Sequence, residues 1–322
     1  MIRRPILLDA NSLIVRNIKA TALEDLKADG TFTGGVFGAF NQLKTMLNGF
    51  NAFMRDKPGR VYAFFDDGVP QFRKDAIPSY KQERKEKKQL LSPEDKERAY
   101  KQIQMFREAL PLVGVTVFSS TGWEADDLVA CASRHFVDQH PIIVSGDKDL
   151  FQLVNETCSV CYLNDKTDLL TNDTFQDRVG VPTECFLVWK LLQGDNSDSI
   201  PGVYGIGETR ATNLVLECLE RDFRFGSRAP VDQLIEIINM ARLRKPQRKS
   251  EASFWDDDAM DALALALTGI DLRQGAPDIS LAIAHIPTVD RKAFVSFCNR
   301  CKFARFVADM ENFIRPFASS CI

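Results

Sequence analysis

The sequence predicts an α/β fold, with a central, mostly parallel, twisted sheet flanked by helices and joined to a mainly helical C-terminal region. Through the first half of the chain, short apolar runs alternate with amphipathic stretches, which is typical of a parallel sheet covered by helices. After about Val179 the strand-like runs stop, while helical spacing continues. We therefore expect an α/β core at 1–179 and a helical region at 180–322.

Several apolar runs have the length and composition of strands. They are PILLDA, RVYAFFDD, GVTVFSS, HPIIVSGD and TCSVCYL. Segments with helical spacing lie at 36–54, 93–113, 124–139, 182–194, 208–220 and 255–270. Ser92 and Pro93 suit the N-cap and the first helical residue of the second segment, and Thr121 and Glu124 have the spacing of a capping box before the third.

The composition is that of an ordinary globular protein. The chain has 322 residues, of which 45% are hydrophobic and 26% charged. No stretch reaches the roughly 18 uninterrupted apolar residues of a membrane helix, and the opening apolar run is too short for a secretory signal. We therefore expect a cytoplasmic protein that does not enter a membrane.

Two short-spaced cysteine pairs occur among the 8 cysteines, Cys158 with Cys161 and Cys298 with Cys301. Such pairs can hold zinc. A long stretch of chain separates the pairs, and the first lies in a strand-like run. Reduced structural thiols are the favoured interpretation.

Basic residues are concentrated at 73–88 and 242–249, although the net charge is -3. The overall charge does not favour a dedicated electrostatic binder of nucleic acid. A charge run alone is typical of a solvated surface. Tyr80 beside Lys81 and Arg84 nevertheless also suits stacking on a base and neutralising the phosphates of a single strand.

Three predicted strands end in aspartate. Asp9 follows PILL, Asp66 follows VYAFF and Asp147 follows IIVSG, with Asp149 shortly after it. A single strand-end aspartate is usually a helix cap or a turn former. Because the carboxyl ends of neighbouring parallel strands line one crevice, these acids are expected to converge.

Further carboxylates lie in two later segments. The helix opened by GWEADD adds Glu124, Asp126 and Asp127, where capping and the helix dipole also favour acids. Helical geometry places Glu124 and Asp127 near one face and Asp126 on another, so the three need not share an ion. The segment GDNSDSIPG adds Asp195 and Asp198, a pattern that alone is typical of a solvated turn.

Carboxylates gathered at one site would repel one another unless cations neutralise them. Oxygen ligands of this kind select Mg²⁺ or Mn²⁺ over zinc. A pair of such ions can hold a scissile phosphate and activate a water molecule to attack it. Since the chain has only 3 histidines and no obvious serine–histidine arrangement, metal-assisted phosphodiester hydrolysis is the predicted chemistry.

The segment PGVYGIGETRATNLV combines Gly202, Gly205 and Gly207 with a following helix. Closely spaced glycines bring backbone groups near a ligand, as in a helix-turn-helix element that grips a phosphate backbone. A nucleotide-binding loop is the alternative, but the motif follows no predicted strand and has no Walker lysine. Phosphate-backbone binding is therefore favoured.

Together these residues resemble the 5′-nuclease family, which includes bacteriophage 5′-exonucleases and the 5′-nuclease domain of bacterial DNA polymerase I, with flap endonucleases as relatives. The motifs are WEADD, SGDKDLFQL and GDNSDSIPGVYGIG; the match is detailed from Pro5 to about Leu219 and weaker in LALTGIDL and FCNRCKFARFV. The resemblance implies a PIN-like nuclease core at 1–179, a helical arch at about 73–95 and a helix-hairpin-helix-type motif at about 187–219. Because no polymerase domain follows, we expect the free-standing, phage-like type.

The resemblance also implies metal ligands. A first metal region would be ligated or supported by Asp9, Asp66, Glu124, Asp126, Asp127 and Asp147. A second would be served by Asp149, Asp195 and Asp198. Two or three Mg²⁺ or Mn²⁺ ions are implied, with K⁺ at the turn formed by GVYGIG.

Contacts with DNA are implied in the same way. The scissile phosphate would be steered by Arg73, Lys81 and Arg84, while Tyr80 would stack near the 5′ end. The DNA-binding positions would be Arg16, Gly202, Val203, Gly205, Ile206, Gly207 and Arg210.

Three positions depart from the family's pattern. Ala10 stands where glycine usually follows the first aspartate, Thr209 stands where lysine follows GIGE, and Asp67 adds an acid beside Asp66. The second departure removes one phosphate contact unless Arg210 substitutes. The third leaves open which aspartate faces the metal, and we favour Asp66, directly after the apolar run.

The implied function is that of a divalent-metal-dependent 5′-3′ exonuclease and structure-specific 5′ flap endonuclease, acting in replication and repair. Its expected partners are DNA 5′ ends, flaps and nicks, with RNA–DNA hybrids as a further substrate. We expect a monomer, in the host cytoplasm if the chain is phage-encoded. The alternative is a catalytically inactive, structure-specific binding module, which the complete acid set disfavours because unneutralised carboxylates hinder polyanion binding.

Overall fold

The computed structural model describes most of the chain. The described residues are 3–20, 26–53, 58–82, 86, 91–163, 169–195, 199–200, 202–221, 225, 229–242, 256–275 and 277–319. Two predicted site residues, Arg84 and Asp198, lie outside the described residues.

The central sheet has five strands, all paired in parallel. The strands of the described residues are, in chain order, β1 (Arg4–Asp9), β2 (Lys27–Ala28), β3 (Thr31–Phe32), β4 (Pro58–Phe64), β5 (Thr116–Phe118), β6 (Ile142–Ser145) and β7 (Ser159–Tyr162). The central sheet has the order β5-β4-β1-β6-β7, and β2 and β3 form a separate antiparallel pair. Each strand-like run contains one strand of the central sheet, so the predicted α/β fold is confirmed.

Helices make up most of the remaining structure. In chain order, those of the described residues are α1 (Ala10–Ile18), α2 (Gly34–Phe53), α3 (Gln71–Ala76), α4 (Pro93–Ala109), α5 (Ala125–His135), α6 (Asn172–Val179), α7 (Phe186–Gln193), α8 (Glu208–Glu220), α9 (Pro230–Arg242), α10 (Asp257–Ile270), α11 (Ser280–Ala284), α12 (Arg291–Arg300), α13 (Ala304–Ala308) and α14 (Met310–Ser319). Ser92 caps α4 as predicted, since its Oγ accepts a hydrogen bond from Asp95 N at 3.0 Å. No helix within the described ranges is long and apolar enough to cross a membrane.

The chain divides into two compact units. The first comprises Met1–Gly68, Leu91–Leu169 and Ala276–Ile322, and the second comprises Val69–Leu90 and Leu170–Gly275. This division differs from the predicted boundary near residue 179, because the C-terminal residues return to the first unit. The first part of the predicted arch belongs to the second unit.

Aromatic side chains from the C-terminal helices complete the core of the first unit. Phe294 of α12 and Phe313 of α14 lie 5.5 and 6.2 Å, between ring centroids, from Phe40 of α2. Phe106 of α4 lies 5.1 Å from the same ring. All four side chains are fully buried or nearly so. This long-range packing explains why residues 277–319 group with the α/β core.

The described cysteines are free thiols and most are buried. Burial raises the pKa of Cys158 and that of Cys298 to about 12. Cys298 and Cys301 lie in the core of the first unit. Protonated, buried thiols of this kind pack as small apolar groups.

We expect Phe313→Ala to lower the free energy of unfolding by about 3–5 kcal/mol, because it leaves a cavity in the aromatic core. Leu281→Ala is the control, since Leu281 is 72% exposed. The control should change the free energy of unfolding by less than about 0.5 kcal/mol. Urea titration of the intact chain measures both variants, and equal effects would show that the C-terminal aromatics do not stabilise the core.

Candidate active site

Asp9 ends β1, the strand that lies between β4 and β6 in the sheet. Its carboxylate accepts two hydrogen bonds, from Ser12 N to Oδ1 at 3.0 Å and from Ser145 Oγ to Oδ2 at 2.6 Å. The parallel register pairs Leu8 with Val144. The residues that follow this pair, Asp9 and Ser145, therefore meet at the same level of the sheet edge.

Two serines join the end of β6 to the start of α1. Ser145 Oγ also accepts a hydrogen bond from Asp147 N at 2.9 Å, and Ser12 Oγ accepts one from Gly146 N at 2.9 Å. Asp147 caps the turn that follows, because its Oδ1 accepts from Asp149 N at 2.9 Å. Neither serine was predicted to serve the site, although hydroxyl side chains close to strand-end acids were an available signal.

Asp66 lies just beyond β4 and connects two other elements. Its Oδ1 accepts a hydrogen bond from Ala125 N, at the start of α5, at 2.8 Å, and its Oδ2 accepts one from Asn11 Nδ2 at 2.6 Å. Asn11 Oδ1 is buried and has no hydrogen-bond partner among the described residues. Asn11, which was not predicted as a site residue, therefore orients Asp66.

The additional acid, Asp67, holds the turn before α5. Its Oδ2 accepts a hydrogen bond from Thr121 Oγ1 at 3.1 Å, and its backbone N–H donates to Trp123 O at 3.0 Å. These contacts occupy Asp67 within the turn. They favour Asp66 over Asp67 as the acid that faces the metal, which stays a prediction.

Asp9 is surrounded by like charge. Burial raises its pKa to about 7; the hydrogen bonds from Ser145 and Ser12 oppose this shift, and the carboxylates of Asp66 and Asp147 add to it. The Asp9 side chain is only 4% exposed. The acids that follow three neighbouring strands therefore share one electrostatic environment, which a cation would neutralise.

Two acids at the start of α5 cap the N-terminus of this helix. Glu124 is the N-cap residue and Asp127 is its capping-box partner, with Asp127 Oδ2 accepting from Glu124 N at 3.3 Å. The predicted capping box of Thr121 with Glu124 is therefore wrong, because residue 121 lies in the turn before the helix. Glu124 and Asp127 are buried while Asp126 is half-buried, in agreement with the expected difference in helix face.

The carboxylates at the sheet edge are not arranged around one common metal position in the described part of the chain. Within the described ranges, no three His, Cys, Asp or Glu side chains are arranged so that they could hold one metal ion. Oxygens of Asp9, Asp66 and Asp147 accept hydrogen bonds from the protein instead. Their donor chemistry fits a hard divalent cation, because all are carboxylates with like charges nearby. When an ion binds, some of these carboxylate oxygens would contact the ion in place of the protein groups that now donate hydrogen bonds to them.

In the second unit, Asp195 is also engaged by the protein. Its backbone exchanges two hydrogen bonds with Ile200, each of 2.8 Å. Its Oδ2 lies 3.1 Å from Lys190 Nζ. The role of Asp195 as a metal ligand remains a prediction.

The glycine-rich turn at 202–207 packs against the end of α7. Gly202 has a φ of +61°, and a Cβ there would lie 2.4 Å from Gly194 N, so the close approach requires glycine. Val203 and Ile206 are buried. Their side chains anchor the turn, which leaves only backbone groups of these two residues for the predicted DNA contacts.

The exposed side of this turn carries a tyrosine. Arg210 Nη1 closes the turn by donating to Gly205 O at 3.0 Å, and Gly207 is the N-cap residue of α8. Tyr204 is 81% exposed. It was not predicted as a contact residue, although an aromatic residue between glycines was the available signal.

Two residues predicted to act on the substrate are buried, Arg73 at 2% exposure and Tyr80 at 8%. Arg73 Nε donates to Gly269 O at 2.7 Å, and the guanidinium carbon lies 5.5 Å from the centre of the Tyr80 ring. The predicted phosphate contact of Arg73 and base stacking of Tyr80 do not fit these positions, because both side chains pack inside the second unit. Lys81 is half-buried, and Arg16 is exposed on α1.

The chain resembles known 5′-3′ exonucleases along most of its length. A family model for the 5′-3′ exonuclease, N-terminal resolvase-like domain matches residues 4–180. A 5′-3′ exonuclease of Bacillus subtilis is 30% identical over 250 residues, which are 76% of this chain and 76% of that protein. The chain belongs to the 5′-3′ exonuclease family. DNA polymerase I of Treponema pallidum is 35% identical over 215 residues, covering 65% of this chain but only 20% of the polymerase.

Solved structures share the fold of this family member. The D15 protein of bacteriophage T5, crystallised with metal ions, matches with a TM-score of 0.65 at 19% identity, over 99% of this chain and 100% of that chain. The catalytic core of Rad2 in complex with DNA matches with a TM-score of 0.53 at 13% identity, over 98% of this chain and 91% of that chain. The predicted family and fold are therefore confirmed.

We expect the metal-free protein to lose stability as the pH rises from about 4 to about 7. The pKa of Asp9 is 3.8 before folding, and burial raises it to about 7, so the folded chain binds an extra proton between these values. The contribution of this extra proton to stability is fully present below pH 3.8 and is lost as the pH rises through about 7. The free energy of unfolding should fall by an amount on the order of 2–4 kcal/mol.

Urea titrations in EDTA near pH 5 and near pH 8 measure this change. Asp9→Asn should remove it, whereas Asp138→Asn, at an exposed acid in the same unit, should keep it. An unaltered pH dependence in Asp9→Asn would contradict the assignment to Asp9.

Proposed function

We propose that this chain is a divalent-metal-dependent 5′-3′ exonuclease and structure-specific 5′ flap endonuclease that hydrolyses DNA phosphodiesters. The observation that carries the proposal is the buried Asp9 carboxylate beside the like charges of Asp66 and Asp147 at the sheet edge. Burial and like charges nearby destabilise the ionised carboxylate, so a bound proton or a bound cation stabilises this group. Membership of the 5′-3′ exonuclease family supports phosphodiester hydrolysis as the use of that cation.

Two or three Mg²⁺ or Mn²⁺ ions would complete the site. When bound, they would polarise the scissile phosphate and make a water molecule more acidic. The proposed first metal region comprises Asp9, Asp66, Glu124, Asp126, Asp127 and Asp147, and the proposed second comprises Asp149, Asp195 and Asp198. Ser145 and Asn11 would orient Asp9 and Asp66 through the hydrogen bonds already described. The T5 D15 protein has been crystallised with metal ions, which supports this proposal.

DNA 5′ ends, flaps and nicks are the proposed substrates, with RNA of RNA–DNA hybrids as a further one in primer removal. Structural neighbours with DNA, the T5 D15 flap endonuclease and the Rad2 core, support a DNA partner. Lys81 and Arg84 are proposed to contact the scissile phosphate, and Arg16, Arg210 and the turn at 202–207 to bind the strand, with K⁺ at that turn. We propose a monomer that acts in the cytoplasm.

A catalytically inactive binding module is the alternative. It would have to bind a polyanion beside Asp9, Asp66 and Asp147, whose charges repel phosphate when no cation is present. The two functions differ in whether Mg²⁺ leads to cleavage or only to retention of the substrate.

We expect end-labelled 5′-flap and nicked duplexes to be cleaved in Mg²⁺ and to stay intact in EDTA. Asp147→Asn should slow cleavage by roughly a thousandfold or more while leaving DNA affinity largely intact, because the acid acts through the bound ion. Asp138→Asn is the matched control, since Asp138 is exposed and precedes β6 rather than following it. Tight binding by the wild type in Mg²⁺ without cleavage would contradict the proposal and favour the binding module.

We expect DNA affinity to fall as salt rises, because phosphate contacts release counterions. Tyr204→Ala should raise the Kd for a nicked duplex roughly five- to tenfold, since aromatic side chains are enriched among the residues that contribute most to binding. Leu265→Ala, at a side chain that is 51% exposed in the same unit, should leave the Kd nearly unchanged. Fluorescence anisotropy measures both variants, and a Kd insensitive to Tyr204→Ala would show that DNA does not use this turn.

A further inference from the structure

A buried arginine attaches residues 71–82, which we call the basal segment, to helix α10. Arg73 lies in α3 within this segment and is 2% exposed. Its Nε donates to the backbone carbonyl of Gly269, in the last turn of α10, at 2.7 Å. Because a buried guanidinium is costly without acceptors, this contact holds Arg73 and the basal segment on α10.

Gly269 allows the basal segment to approach α10 closely. A Cβ at position 269 would lie 2.8 Å from Ile77 Cδ1 and 3.0 Å from Ile77 Cγ1. Both distances are shorter than the contacts of packed carbon atoms. Glycine also destabilises a helix relative to alanine, so its place inside α10 is explained by this packing.

The contacts continue from Arg73 to the end of the basal segment. The Tyr80 ring centre lies 5.5 Å from the Arg73 guanidinium carbon and 5.0 Å from Lys81 Nζ. Tyr80 N donates to Ile77 O at 2.9 Å. Lys81 has a φ of +56°, a left-handed conformation that a non-glycine residue adopts rarely and that the surrounding contacts maintain. A continuous series of contacts therefore links Gly269 to Lys81.

We propose that Arg73 and Gly269 are positioning residues through which α10 holds Lys81 in one conformation for its contact with the scissile phosphate. The inference rests on the proposed nuclease function, because Lys81 is the residue proposed to meet the phosphate. It gives α10 a role that its sequence alone did not indicate. It also replaces the direct phosphate contact predicted for Arg73 by an indirect action through the basal segment.

Gly269→Ala tests the inference, with Gly49→Ala as the matched control. Gly49 lies within α2, and a Cβ there meets no atom within 4 Å. Both changes favour the helix, but only the first crowds Ile77. We expect Gly269→Ala to slow single-turnover cleavage of a 5′-flap substrate roughly tenfold or more with an unaltered Kd for nicked duplex, and Gly49→Ala to change neither. Adding Ile77→Val, which removes Cδ1, should restore most of the rate.

Limited digestion with trypsin tests the anchor without any cleavage of DNA. Loss of the anchor should expose the peptide bond after Lys81. We expect Gly269→Ala and Arg73→Gln to be cut there several-fold faster than the wild type, and Gly49→Ala to be cut at the wild-type rate.

Wild-type cleavage and digestion rates in Gly269→Ala would overturn the inference, as would a slow Gly269→Ala that Ile77→Val does not improve. If Gly269→Ala does not fold, a wild-type digestion rate in Arg73→Gln overturns it. A wild-type chain that cleaves no DNA overturns the proposed function and, with it, the role assigned to Lys81. The trypsin result then shows whether the anchor itself exists.

Discussion

Asp9 places a carboxylate where an uncompensated negative charge is costly. It is nearly buried at the end of the central strand, and Asp66 and Asp147 add like charge. Ser12 N and Ser145 Oγ offset part of this cost, since a hydrogen bond to a charged group contributes about 1.5–3 kcal/mol. Burial nevertheless keeps the pKa of Asp9 near 7. The rest of the negative charge must be neutralised by a bound proton or a bound cation. The strands and helices around Asp9 place the other acids at this same edge of the sheet.

The strand order brings the acids together. Because β1 lies between β4 and β6, the residues that follow these strands meet at one edge. Helices α1 and α5 begin there, and their first-turn N–H groups donate to Asp9 and Asp66. Packing of Phe40 and Phe106 against the aromatic side chains of α12 and α14 stabilises the first unit from the far end of the chain. The sheet edge that carries these acids therefore belongs to a unit whose core is completed by helices near the end of the sequence.

Local patterns were sufficient to predict the sheet, the main helices and the placement of Asp9, Asp66 and Asp147 at one edge of the sheet. Strand length, helical period and strand-end acids are short-range properties, and the parallel order follows from them by general rules. The serine contacts of Asp9 were missed because a hydroxyl group beside an acid is common in turns that bind nothing.

The errors arose where contacts distant in sequence decide the outcome. The basic run at 73–88 predicted solvent exposure for Arg73, but Gly269 supplies a buried acceptor from a helix much later in the chain. The spacing of Thr121 and Glu124 fitted a capping box, but the turn held by Asp67 delays the start of the helix, so that Glu124 becomes the cap.

The central claim is that the carboxylates around Asp9 hold a divalent cation. Crystals grown with Mn²⁺ and measured where manganese scatters anomalously would locate the ion directly. We expect an anomalous peak within coordination distance of carboxylate oxygens of Asp9 and of Asp66 or Asp147, and its loss in Asp9→Asn. Manganese found only elsewhere, in a protein that still cleaves DNA, would contradict the claim.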